Sequence, residues 1–105
     1  MTTQPFQLVS VYINEGDEWK RRPLHLEILE MLYREGMSGG TVVRGVAGFT
    51  GAAGVHSTSL VDAGGTLPLV VQFVDRIENI ERVLPALQEM APHRLITMQA
   101  VDLIS

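Results

Sequence analysis

Cysteine is absent from the 105 residues. That one gap excludes disulfides, thiolate metal sites, iron–sulfur clusters and cysteine nucleophiles together. Lysine occurs once, at Lys20, and twelve acidic residues outnumber eight basic ones, for a net charge of −4. The basic stripe that neutralises nucleic-acid phosphates is missing, so nucleic acid is not an expected partner. No apolar run approaches the roughly 20 residues of a membrane span, and residues 1–9 lack the basic start of a secretory leader. Direct membrane insertion is therefore not expected, and a cytoplasmic location is the default. With 46% hydrophobic and 19% charged residues, the chain has enough apolar material for a core, so one globular domain over residues 1–105 is expected.

The pattern of apolar residues divides the chain. Residues 6–13 read as a strand rich in β-branched and aromatic side chains. Residues 14–22 are polar and read as a loop. Pro23 suits the first turn of a helix. Leu24, Ile28, Met31 and Leu32 recur at helical spacing, with Leu26, Leu29 and Tyr33 widening the stripe, and Gly36 is the expected stop. This places a helix over residues 23–35. A second strand covers 41–49, weakened by Gly45 and Gly48, which mark a bulge or a close approach. Residues 50–66 hold four glycines and form an expected long flexible loop, a length uncommon in compact domains unless functional or disordered. A third strand spans 67–74. Asp75 and Glu78 have the spacing of a capping box. A second helix follows through Ile77, Ile80, Val83, Leu84, Leu87 and Met90, with Pro85 inside it expected to kink it. The last strand covers 95–103. The order β-α-β-β-α-β is the ferredoxin-like arrangement, an α+β fold with a four-stranded antiparallel sheet and two helices on one face.

Such a sheet should be apolar on one face only. Here Phe6, Leu8 and Tyr12 lie on one face of the first strand and Val9, Val11 and Ile13 on the other. Val70 and Val74 oppose Leu69, Val71 and Phe73 in the third strand; Leu95, Val101 and Leu103 oppose Ile96, Met98 and Ala100 in the last. Two helices can cover only one face. Leaving the other wet forgoes about 25 cal/mol for each Å² of apolar area, so further copies of the chain are expected to cover it, the alternative being that edge strands and the long loop fold over it.

Six of the ten glycines fall within residues 36–51. No Walker or dinucleotide fingerprint is formed, because the glycines precede and interrupt a strand rather than open a helix. Their backbone is open to a flat or phosphorylated ligand, or simply serves turn geometry. His25, His56 and His93 have no metal-site spacing. Ser57, His56 and Asp62 could be arranged as a triad, but neighbours in one loop rarely hold such geometry. No catalytic set stands out and no enzymatic activity is expected. Arg44 lies inside a strand, and Arg21, Arg22 and Arg94 at element ends; a phosphate-bearing ligand would need some of these.

The run Gly36-Met37-Ser38-Gly39-Gly40-Thr41-Val42, with Arg44-Gly45 and Gly48-Phe49, resembles the PII signalling proteins. The whole chain is more similar still to the short PII-like family called domain-of-unknown-function family 190, through Tyr12-Ile13, Pro23-Leu24, Leu67-Pro68, Val74-Asp75, Leu84-Pro85 and Ile96-Thr97 as well. The resemblance implies a homotrimer with its sheets facing inward. It implies a regulator that binds a small effector, an adenine nucleotide, in clefts between subunits. The loop after the second strand would then signal to a protein target such as a membrane transporter. By that similarity Gly39, Gly40, Thr41, Arg44, Gly48, Phe49, Thr50 and Gly51 would line the cleft. No tightly held cofactor or metal is implied. The alternative within this architecture is a divalent-metal-binding trimer of the CutA kind, using His56, His25 or His93.

The chain also departs from PII proteins. The strand from Thr41 to Phe49 is one residue longer, and Thr50 replaces the second glycine of Gly-Phe-Gly. Where PII proteins have a Gly-Asp-Gly-Lys phosphate loop, this chain has Ala91-Pro92-His93-Arg94.

Overall fold

The computed structural model describes residues 1–49 and 66–105, with the backbone of residues 56–57. Its elements are β1 (Thr3–Asn14), β2 (Glu18–Trp19), β3 (Arg22–Pro23), α1 (Leu24–Arg34), β4 (Thr41–Arg44), β5 (Ala47–Gly48), β6 (His56–Ser57), β7 (Pro68–Asp75), α2 (Ile77–Met90) and β8 (Leu95–Ile104). The main sheet has the order β4-β7-β1-β8 with every neighbouring pair antiparallel. This is the expected ferredoxin-like topology. Among the described residues, no helix is long and apolar enough to cross a membrane.

The register fixes which side chains meet. Val11 lies opposite Val71 on one side and Ile96 on the other; Val9 lies opposite Phe73 and Met98. These side chains share the face toward the helices, because residues two apart point the same way. Val9, Val11, Ile13, Val71 and Phe73 are buried against Leu24, Ile28, Met31 and Leu32 of α1 and Ile80, Val83 and Leu87 of α2. The stripe of α1 is narrower than its sequence suggests. Leu26 is exposed, and Tyr33 is 87% exposed.

Helix α1 ends as Gly36 predicts. Gly36 takes φ +77°, its N–H donates to the Tyr33 carbonyl, and the Met37 N–H donates to the Leu32 carbonyl. This pair of bonds is a Schellman ending, which needs the left-handed residue that glycine supplies without strain.

Three local expectations are corrected. Residues 14–22 are not wholly loop: β2 and β3 pair through a two-residue turn in which Lys20 and Arg21 both have positive φ. Glycine and asparagine usually fill those places, and their absence hid the hairpin. The strand over 41–49 breaks in two. At Gly45 the N–H donates to the Pro68 carbonyl at 2.8 Å, and a Cβ there would sit 2.9 Å from Pro68 Cγ. Beyond it, β5 pairs with β6 rather than with the main sheet. The expected loop 50–66 otherwise lies outside the described residues, Thr66 excepted.

The capping box does not form either. Arg76 is the N-cap of α2 and makes no side-chain cap bond. Asp75 serves a longer-range role. Its Oδ2 accepts from the Ser38 N–H at 2.8 Å and from Ser38 Oγ at 3.0 Å. Its Oδ1 accepts from the Arg76 N–H and from Asn79 Nδ2, both at 2.7 Å. Thus one buried carboxylate joins the turn after α1 to the junction of β7 and α2. Burial acts to raise its pKa, but the bonds from Asn79, Ser38 and Arg76 outweigh burial and hold it below the ordinary 3.8.

A lowered folded-state pKa means stability that is complete above the unfolded value and lost as pH falls through the folded one. Asp75→Asn would turn an amide N–H₂ toward donors and should lower the unfolding free energy by about 2 kcal/mol at neutral pH. In urea titrations the gap between native protein and variant should narrow as the pH drops below 3.8. A gap that stays constant down to about pH 2.5 would contradict the assignment.

Candidate ligand-binding site

The site is assembled from the turn that Asp75 holds. After the Schellman ending, Ser38 is tied to Asp75, and the chain passes through Gly39 and Gly40 into Thr41, which pairs with Gln72 of β7. This turn forms one side of a cavity of about 450 Å³. Phe6 and Leu8 of β1, Gln72 and Val74 of β7 and Leu103 of β8 supply its floor. By strand alternation these five belong to the sheet face opposite the helices. A second hollow of about 240 Å³, lined by Leu29, Leu32, Tyr33 and Met37, lies on the α1 side of Gly39 and Gly40. The two glycines are therefore a thin backbone wall between two spaces. A Cβ at Gly39 would meet no atom within 4 Å, whereas one at Gly40 would come within 3.1 Å of Leu29 Cδ2.

Among the described residues, no charged side chain lines the larger cavity. Its polar groups are the backbone of the turn, the hydroxyls of Ser38 and Thr41, and the Gln72 amide, which also donates to Ser10 Oγ at 3.3 Å. The Ser38 hydroxyl spends its proton on Asp75. Such a surface suits a flat ring with hydrogen-bonding edges: apolar side chains stack against it, and exposed backbone reaches its rim.

The eight residues anticipated from the resemblance fall into separate places. Gly39, Gly40 and Thr41 line the cavity. Arg44 is at the far end of β4, about 10 Å along the strand from Thr41, where its Nη2 lies 2.6 Å from Glu15 Oε2. Gly48, in β5, is packed near Pro68, and Phe49 is 67% exposed. Thr50 and Gly51 lie outside the described residues. Within one copy of the chain, then, the cavity gathers the first three and not Arg44, Gly48 or Phe49. Of the other arginines raised as phosphate ligands, Arg94 pairs with Asp17 at 2.8 Å and Arg22 reaches Glu27 at 3.9 Å.

Sequence reasoning did not single out Phe6, Leu8, Ser38, Gln72, Val74 and Leu103 as site residues. A signal was present. Gln72 is a polar residue in the middle of an apolar strand, and alternation puts it on the same face as Val70 and Val74. Only the register of β4 against β7 brings that face beside the glycines.

The histidines do not converge on a metal centre among the described residues, where no three His, Asp or Glu groups cluster. His25 is half-buried, and its Nδ1 is buried without a hydrogen-bond partner. His93 is exposed in a left-handed turn before β8. Of the arrangement Ser57, His56 and Asp62, only the backbone of the first two is described.

Comparison with known proteins agrees with this architecture. A protein of Methanocaldococcus jannaschii in the UPF0166 group is 37% identical over 84 residues, covering 80% of this chain and 77% of that protein. Among solved structures, CPII from Thiomonas intermedia K12, described as bound to ADP and bicarbonate, superposes with a TM-score of 0.69 at 18% identity, over 97% of this chain and 91% of that one. The B. subtilis GlnK–ATP complex gives 0.56 at 14% identity, over 92% and 82%. At those identities the structural matches establish a shared PII-like fold. Residues 6–103 match the DUF190 family, described as "Uncharacterized ACR", and with nearly the full length matched the chain belongs to that family.

Proposed function

We propose that this protein is a PII-like regulator, not an enzyme. It assembles as a homotrimer through the open sheet face and binds an adenine nucleotide in a cleft that a neighbouring copy completes. The observation that carries this reading is the cavity at Gly39, Gly40 and Thr41. It opens on an apolar sheet face that the chain's own helices leave uncovered, and its volume falls in the range typical of small-molecule sites. Leu8, Tyr12, Val70, Val74 and Val101 on that face are half-buried, while Val43, Leu95 and Leu103 are exposed, with Leu95 at 61%. A contiguous apolar surface of this kind marks an interface. The ADP named with CPII and the ATP named with GlnK support a nucleotide as the ligand class. On this reading Arg44, Gly48, Phe49, Thr50 and Gly51 belong to the same cleft once copies assemble. The segment beyond β5 carries the signal to a protein target such as a membrane transporter. A metal-binding trimer draws no support from the described residues.

Light scattering at micromolar concentration should return the mass of three chains. Val43→Glu with Leu95→Glu should shift it toward one chain, because carboxylates would have to be buried in the interface. A native protein of single-chain mass would end the trimer reading. Calorimetry with ATP, ADP and AMP should give saturable heat with at least one nucleotide. Gly39→Leu should weaken it about tenfold or more by intruding on the cavity, with little change in melting temperature, since a Cβ at Gly39 would meet no atom within 4 Å. Absence of heat with all three on verified trimer would overturn nucleotide binding.

A further inference from the structure

Phe6 lies on the open sheet face yet is only 6% exposed. Part of its cover is the guanidinium of Arg76, whose central carbon stands 5.6 Å from the ring centre. A guanidinium on an aromatic face is held in place while its N–H groups point outward around the ring edge. Among the described residues, the only hydrogen-bond acceptor for this guanidinium is neutral: Nη2 donates to the Gln4 amide oxygen at 2.9 Å. The adjacent carboxylate cannot serve it, because both oxygens of Asp75 are already engaged by Ser38, Asn79 and the Arg76 backbone N–H. Arg44 and Arg94, in contrast, are matched by Glu15 and Asp17. Arg76 thus makes no ion pair among the described residues, and its guanidinium rests on a ring that lines the cavity.

We propose that Arg76 binds the anionic group of the cavity's ligand: the ring lies along the wall of Gly39, Gly40 and Thr41, and a phosphate extends past Phe6 to the guanidinium. The inference rests on the nucleotide reading above and adds to it the residue that distinguishes a nucleotide from its nucleoside. Arg76 is exposed, and its N-cap role uses backbone only, so changing its side chain uncovers part of Phe6 but leaves the cluster between the sheet and the helices intact.

The test compares native protein, Arg76→Gln and Arg76→Lys by calorimetry with AMP and with adenosine, and follows the Arg76 Nε–H resonance by NMR during addition of pyrophosphate. Native protein should prefer AMP over adenosine by about ten- to hundredfold, the scale of a charge-assisted hydrogen bond. Arg76→Gln should lose that preference while keeping its affinity for adenosine. Arg76→Lys should recover part of it, having the charge without the planar fork. Pyrophosphate should shift the Arg76 resonance. If AMP binds and Arg76→Gln keeps the full preference, the assignment of Arg76 is wrong and the nucleotide reading survives. If no nucleotide binds but pyrophosphate shifts Arg76, the anion site stands and the nucleotide reading falls. If neither occurs, both are overturned.

Discussion

A four-stranded sheet with two helices has one face that those helices can shield. Val9, Val11, Ile13, Val71 and Phe73 fill that face and lock α1 and α2 onto it. The opposite face is nearly as apolar, with Leu8, Tyr12, Val43, Val70, Val74, Leu95, Val101 and Leu103 interrupted only by small or uncharged polar residues such as Ser10, Gln72, Thr97 and Gln99. The absence of charge from these positions is the telling feature. A face meant for water would carry Lys or Glu at alternate positions, as antiparallel sheets ordinarily do. The proposed assembly and the position of the proposed site both follow from that unshielded surface, because the cavity is a depression in it beside the first residues of β4.

The geometry of that depression depends on a contact between residues far apart in the chain. Ser38 and Asp75 are separated by 37 positions. Their two hydrogen bonds fix where the chain leaves α1 and enters β4, and so where Gly39, Gly40 and Thr41 stand relative to Gln72 and Val74. A glycine-rich turn pays a large entropic cost on ordering. Anchoring it at one end to a buried carboxylate and at the other to a strand ladder leaves two free residues between fixed points. Those two residues have no side chain, which brings peptide groups to the cavity surface.

Much of the fold was legible in the chain because its signals are local. The two helical stripes, the stop at Gly36 and the alternation in residues 6–13 and 67–74 are each read within one or two turns of chain. What escaped reading was nonlocal or used atypical residues. Lys20 and Arg21 make a tight hairpin turn without glycine or asparagine. Asp75 looks like a helix cap from its neighbours in sequence, but Ser38 recruits one of its oxygens from another part of the chain. Gly45 was read as a bulge or a close approach, and the approaching group turned out to be Pro68. The glycine side of the site was visible from sequence pattern alone. Its apolar floor required the strand register, and Arg76 required knowing that Phe6 lies across from it.

The pairing of the arginines differs between the two ends of the sheet. At the end where β4 finishes and β8 begins, Arg44 and Arg94 are neutralised by Glu15 and Asp17, which lie in the connection after β1. At the opposite end, where β7 finishes, Arg76 rests on an aromatic ring and a neutral amide. Fields near a low-dielectric surface are set by the charges left unpaired. On the proposed reading, the Arg76 guanidinium is the contact that the β7–α2 junction offers to an anionic group. That junction is also where Asp75 ties the glycine turn to α2. A ligand that pulls on Arg76 would thus load the same backbone that positions its ring, coupling the occupancy of the cavity to the order of the turn that forms it.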